Sequence, residues 1–273
     1  MKTIWIHDGL NGESVAKAMP LPFKHLERPI DPEIFRRQAR GEDIGKAKMF
    51  NSQGLSTIRF VGEHVSEWAP AASKCLCFVL SGDIDIEVGH DERHQLSAGD
   101  VFLEDDCNGH GHRITFRGDC RLVKLLIADD WQPHGNVPPT TTDSSNLLPR
   151  STNLKRMYRA KDDLSYFRTF DELFVDTNGT TSSIRSVLGF YFVSFPSGYF
   201  IDLHPEGANN FVIVTEGDLE LEVSGDGRIE VFGPGDVVLA EDRIGVGHID
   251  RMHGLCRLIM IVFDDKHLWE VPA

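Results

Sequence analysis

The 273-residue chain lacks three things whose absence narrows its function: a surplus of positive charge, long apolar runs and paired cysteines. Lys and Arg number 28 against 42 Asp and Glu, a formal net charge of −14. Phosphate backbones are held by clustered bases, so a nucleic-acid surface is excluded, and no helix-turn-helix pattern argues otherwise. The longest apolar stretch, Leu258 to Phe263, is far short of the ~20 residues that span a bilayer, and the amino terminus holds only Ile4-Trp5-Ile6. A soluble cytoplasmic protein without membrane partners is expected. The five cysteines form no C-x-x-C pair, which excludes a structural zinc site or a disulfide framework. Cys75 and Cys77, two apart in an apolar run, are expected to be reduced core thiols on one strand face.

What the chain does have is an internal repeat. Gly99-Asp100-Val101 returns as Gly235-Asp236-Val237, Gly111-His112 as Gly247-His248, and Cys120-Arg121-Leu122 as Cys256-Arg257-Leu258, all at an offset of 136. Upstream, Gly82-Asp83-Ile84 matches Gly217-Asp218-Leu219 at 135. In both copies apolar residues alternate with acids (Ile84, Ile86, Val88; Leu219, Leu221, Val223), the period of a half-buried strand, and turn residues recur at short intervals. Each copy therefore predicts many short strands.

Residues 132–152, rich in Pro, Ser, Thr and Asn, read as a linker between domains at 55–131 and 153–273, with 1–54 an extension packing on them. Within that extension Asp31 as cap, Pro32 at the first helical position and Gly41 as stop predict a short helix. Further short turns of helix are expected near the linker.

The block Gly235 to Asp242, ending in Gly245-Val246-Gly247-His248, resembles the second motif of the cupin superfamily, G-x5-P-x-G-x2-H-x3-N. Gly198 through His204, Glu206 and Asn210 to Gly217 resembles the first, G-x5-H-x-H-x3-4-E-x6-G. The wording E-D-x-x-G-x-G-H is similar to that of a branch of small, largely uncharacterised cupin-domain proteins. The resemblance covers roughly 55–130 and 185–265 and implies an all-β chain of two tandem jelly-roll barrels, commonly paired as a homodimer. Three positions depart from the family pattern. Glu206 replaces the second His, Asn210 the Glu, and His248 falls two residues late; in the first copy the equivalents of His204, Glu206 and Asn210 are Ala69, Ala71 and Cys75.

The candidate site therefore belongs to the second copy. In a strand, His204 and Glu206 share a face; with His248 they supply two imidazoles and a carboxylate, and Asn210 a fourth contact. Such a set suits Fe(II) with positions left open for substrate and oxygen, or Mn, Zn or Ni. Glu206 and His248 are the expected acid–base residues. Arg251, Arg257 and Tyr199 are the expected substrate contacts, with Arg243 also near, and Asp202 is a candidate to orient the His204 ring. His110 and His112 lie two apart in the first copy without an upstream partner, which reads as a structural barrel.

Three functions follow from these residues. The first is a metal-dependent enzyme acting on a small organic molecule, with a dioxygenase ahead of a lyase or isomerase. The second is that lyase or isomerase, using Lewis-acid or acid–base chemistry without oxygen. The third is a metal-free protein that binds a small ligand in an apolar barrel without catalysis.

Overall fold

The structure is a computed structural model that describes residues 1–40, 42, 49–138, 154–170, 173–174, 182 and 184–263. The first part of the chain supplies β1 (Thr3–Asp8), β2 (Ser14–Ala18), β3 (Lys24–His25), helix α1 (Pro32–Ala39), β4 (Ser52–Val61), β5 (His64–Val65), β6 (Cys75–Glu87), β7 (Arg93–Leu96), β8 (Val101–Asp105) and β9 (Arg113–Ile127). The second supplies β10 (Leu154–Arg159), β11 (Ser165–Thr169), β12 (Gly189–Phe195), β13 (Phe200–His204), β14 (Asn209–Val223), β15 (Ile229–Phe232), β16 (Val237–Glu241) and β17 (His248–Phe263).

One sheet runs β2-β1-β8-β6-β9-β4, with β5 on β9 and β7 on β6; the other runs β11-β10-β16-β14-β17-β12-β3, with β13 on β17 and β15 on β14. Strand for strand the two orders coincide, β3 being the one addition among the described residues. The repeat thus extends upstream of the residues that reveal it in sequence. The β1–β2 hairpin, parallel to β8 along β1, returns as the β10–β11 hairpin, parallel to β16 along β10. The expected all-β duplication is what forms.

The long central strands bend where two successive register shifts interrupt β6 against β9 and β14 against β17. Such bulges increase twist and let one strand pass from one side of a barrel to the other. Gly217 lies at the second of these bends with φ +70°, and a Cβ there would come within 2.5 Å of the Leu255 carbonyl oxygen. Only glycine allows that approach.

Alternating residues of each sheet make its core. Ile4, Ile6, Cys77, Val79, Ile84, Ile86, Phe102, Phe116 and Leu122 are among those of the first. Met157, Phe195, Ile201, Val212, Leu219, Phe232, Met252 and Leu258 are among those of the second. Cys75 and Cys77 are both buried in the first core, and burial pushes the Cys75 thiol up to about 11, so it stays protonated.

By its contacts the chain divides into two units: Met1–Pro22, Ser52–Thr142 and Glu172–Arg185 in one, and Phe23–Asn51, Asp143–Asp171 and Ser186–Ala273 in the other. The extension over 1–54 is therefore not one piece. β1 and β2 are strands of the first sheet, whereas β3 and α1 go with the second. Residues from beyond the linker return to the first unit, where Thr57 Oγ1 donates to the Leu173 carbonyl (2.9 Å) and Leu55 pairs with Arg185. The helix forms where expected, with Asp31 accepting from Glu33 N at 3.0 Å and Pro32 at the first position; the turns of helix expected near the linker lie outside the described residues. Among the described residues no helix is long and apolar enough to cross a membrane.

Candidate metal centre of the second barrel

His204 closes β13 directly opposite His248, the first residue of β17. Their ring centroids are 4.6 Å apart, and both residues are 1% exposed. Two residues along β17, on the same face as His248, stands Asp250. One ligand atom from each of His204, His248 and Asp250 lies within 4.8 Å of the others.

Each ring has a fixed orientation. His204 Nδ1 lies 2.9 Å from the Asp202 carbonyl oxygen, and His248 Nδ1 lies 2.8 Å from Asp242 Oδ2. A carbonyl only accepts, so His204 Nδ1 carries the proton, and a buried carboxylate demands the same of His248. Both Nε2 atoms are left to face Asp250, at 3.9 Å from Oδ2 for His204 and 3.1 Å from Oδ1 for His248. Holding the far nitrogen while aiming the near one at a common point is how proteins prepare imidazoles for a metal.

The electrostatics ask for a cation. Burial works against a charged His248 ring, yet Asp242 and Asp250 on either side outweigh it and raise its pKa well above the usual imidazole range. Burial and the neighbouring His248 lower that of His204 in spite of Asp250, so this ring is neutral at pH 7. Burial likewise pushes the Glu206 carboxyl up to about 7. Asn210 is 4% exposed; its Nδ2 donates to Glu206 Oε2 (2.8 Å), and its Oδ1 has no hydrogen-bond partner. A buried carbonyl oxygen without a donor is costly unless something else meets it. Two imidazole nitrogens, once His248 has given up its proton, and the Asp250 carboxylate between them fit a divalent ion.

The third residue that converges with the two histidines is Asp250; Glu206 is not part of this group. The reading of His204 and Glu206 as strand neighbours fails because β13 ends at His204 and Pro205 has no N–H with which to continue the ladder. Glu206 is buried in the turn that follows, close enough to His248 for their charges to interact. A signal for Asp250 was present in the repeat: His248-Ile249-Asp250 is a same-face pair on a strand, whereas the first copy has His112-Arg113-Ile114. Asp202 orients His204 through its backbone carbonyl; its own carboxylate accepts instead from Leu203 N.

The residues expected to hold substrate are engaged elsewhere. Arg251 lies on the opposite face of β17 from Asp250 and donates to Glu220 (3.0 Å) and Glu222 (2.6 Å). Arg257 is bound to Glu216 and lies over Phe23. Tyr199 packs on Phe195 and donates its hydroxyl to the Arg28 carbonyl oxygen (2.5 Å). The strand period places the arginines on the outer face, and core burial takes the tyrosine.

Instead, helix α1 comes over the mouth of the second barrel. The Phe35 ring centroid is 4.3 Å from that of His204, and Arg36 Nη2 donates to the Leu203 carbonyl oxygen (2.5 Å). Gln38 lies against Gly207, where a Cβ would collide with it. No residue of α1 is itself buried, and the helix lies against β13, the strand that ends in His204.

The first barrel keeps the histidine and loses the rest of the set. His112 Nδ1 lies 2.8 Å from Asp106 Oδ2, but Ala69, Ala71 and Ile114 replace His204, Glu206 and Asp250. His112 Nε2 faces Glu104 at 3.7 Å, and Glu104 is paired with Lys124 Nζ at 2.6 Å, where the second barrel has Ala240 and Met260. A lysine ammonium thus provides positive charge in a barrel without the metal-ligand set. His110 does not share the face of His112, because Gly111 between them has φ +82° and breaks the alternation; His110 is exposed.

Burial opposes protonation of His112, but Asp106 and Glu104 more than compensate and raise its pKa from 6.5 to about 9. The resulting stabilisation is complete below pH 6.5 and disappears as pH rises through about 9. At 1.36 kcal/mol per unit it amounts to on the order of 3 kcal/mol. In urea titrations followed by the fluorescence of Trp5, Trp68 and Trp131, the advantage of wild type over His112→Gln should shrink across that window. A constant difference from pH 6 to 9.5 would contradict the charged pairing.

No family model matches the chain, and no curated protein matches it. Solved structures do. A cupin 2 conserved barrel domain protein from Leptotrichia buccalis is 13% identical, with 89% of this chain and 99% of that one covered and a TM-score of 0.36. A protein of unknown function of the DUF861 family from Pseudomonas syringae pv. tomato is 16% identical over 96% and 100% of the two chains, with a TM-score of 0.35. Oxalate decarboxylase from Bacillus subtilis, described with Mn(II) centres, is 14% identical over 81% and 71%, with a TM-score of 0.27. The first of these is described as a cupin barrel domain protein; the duplicated β architecture of this chain is read from its own strand pairing.

Proposed function

We propose that the second barrel binds one divalent metal ion through His204, His248 and Asp250 and uses it to transform a small organic substrate. The observation that carries this reading is the paired fixation of Nδ1 on both histidines, which leaves both Nε2 atoms and the Asp250 carboxylate converging on one point. A set of two histidines and one carboxylate suits Fe(II), and such an ion supplies open positions at which a substrate and oxygen can meet. An oxygenase is therefore proposed ahead of a lyase or isomerase.

The chain's own residues have definable parts in this. Asp242 and the Asp202 carbonyl hold the ligand rings. Glu206, tethered to Asn210, places a further carboxyl beside the set. Phe35 and α1 cover the mouth and limit both the size of what enters and the access of water. Lys124 of the first barrel has Met260 as its counterpart, so no matching ammonium competes with a metal here.

Elemental analysis of purified protein tests the reading. Wild type is expected to hold close to one Fe, Mn, Zn or Ni per chain, not two, and His204→Ala and His248→Ala are each expected to lose it. Because His248 must give up a proton to bind, affinity should rise with pH. Wild type that stays metal-free after anaerobic reconstitution with each ion would sink the proposal. With metal established, oxygen uptake during substrate screens separates an oxygenase from a lyase or isomerase, which works without oxygen.

A further inference from the structure

The two barrels share a buried arrangement that the metal set by itself does not require. In the second, Ser165 Oγ donates to Asp242 Oδ2 at 2.6 Å, and the same oxygen meets His248 Nδ1 at 2.8 Å. In the first, Ser14 Oγ donates to Asp106 Oδ2 at 2.6 Å, and that oxygen meets His112 Nδ1 at 2.8 Å. Ser165, Asp242, Ser14 and Asp106 are each 0 or 1% exposed. In both barrels the other carboxylate oxygen, Oδ1, is buried without a hydrogen-bond partner.

That asymmetry defines a task for the serine. A carboxylate has two equivalent oxygens and a soft terminal torsion, so one N–H donor alone leaves its plane weakly determined. A second donor on the same oxygen, from another strand, selects that oxygen and the carboxylate plane. Ser165 is itself anchored, its N–H donating to Ser224 Oγ (3.0 Å) and its carbonyl accepting from Gly225 N (3.0 Å). The string therefore runs from the β11 hairpin through Asp242 to the ring of His248.

We infer that Ser165 is a positioning residue for the metal centre, setting the direction of His248 Nε2 through Asp242. The inference rests on the metal reading for its functional consequence, but not for the geometry. The first barrel provides the internal control, since Ser14 does the same for His112 where the remaining ligands are missing. Loss of either serine should cost similar stability, and only loss of Ser165 should disturb metal binding.

The test compares Ser165→Ala and Ser14→Ala in the full chain by two measurements. The first is proton NMR of the metal-free protein, observing the hydrogen-bonded Nδ1–H resonances of His248 and His112, assigned with His248→Ala and His112→Gln. Ser165→Ala is expected to shift the His248 signal or speed its exchange with water while leaving His112 unchanged, and Ser14→Ala the reverse. The second is the dissociation constant of the metal, by competition with a chelator. Ser165→Ala should weaken binding roughly ten- to a hundredfold, the usual effect of removing an outer-shell partner, and Ser14→Ala by less than about twofold. An unmoved His248 signal in Ser165→Ala, or equal weakening in both variants, overturns the inference. Wild type that binds no metal while the NMR pattern holds would refute the metal reading and leave Ser165 as the residue that orients His248.

Discussion

Asp250→Ala is expected to abolish the metal binding proposed for the second barrel, weakening affinity at least about a hundredfold, or ~2.7 kcal/mol, while Glu206→Ala retains a near-stoichiometric ion. The distinction follows from the backbone. Asp250 is carried on a continuous strand, two residues from His248 and on its face, with its oxygens 3.1 and 3.9 Å from the two Nε2 atoms. Glu206 belongs to the turn after β13 and is tied to Asn210. Removing Asp250 leaves two imidazoles, too few donors to hold a divalent ion against water. Removing Glu206 leaves all three ligands, so its effect should fall on turnover. Metal analysis of both variants after identical reconstitution decides it. The reverse pattern, with metal lost from Glu206→Ala and kept by Asp250→Ala, would return the third ligand to the turn.

Gly247→Ala is expected to be about as damaging, by a different route. Gly247 has φ +95°, and a Cβ there would fall on the His204 carbonyl group and within 2.5 Å of Pro205 N. The methyl cannot be accommodated by a side-chain rotation, because what it meets is backbone. β13 and β17 must separate where His204 faces His248, so the variant should lose both metal and about 3 kcal/mol or more of stability. Gly111→Ala supplies the comparison: φ is +82° and the Cβ would meet the Ala69–Pro70 peptide in the same way. It should cost the first barrel a similar amount but leave one metal per chain. Urea unfolding and metal content measured on both variants check this, and full metal occupancy in Gly247→Ala would show that the two strands are not held by that contact.

The repeat carried most of the architecture in plain sight. Alternation at Ile84, Ile86 and Val88, and again at Leu219, Leu221 and Val223, determined strands with one buried face, because a period of two can bury only alternate residues. Asp31, Pro32 and the helix they start were equally legible, since capping is local chemistry. So was a longer shared pattern, Asp-x-x-Gly-x-Gly-His at 106–112 and 242–248, whose aspartates prove to be the partners of His112 and His248.

What local pattern left open was wherever a strand stopped, bulged or met a distant partner. Alternation extended past His204 put Glu206 on the ligand face, but the strand ends there. Arg251 and Arg257 were near the site in sequence and on the far side of the sheet in space, for the same reason of period. The duplicated β fold and the second copy as bearer of the pair His204 and His248 were determined by the chain's own sequence. The choice of Asp250, the cover provided by α1 and the link from Ser165 through Asp242 to His248 were decided only by the tertiary structure. They join residues 2 to 169 positions apart in the chain, and strand register and barrel closure bring those residues within hydrogen-bonding or packing distance.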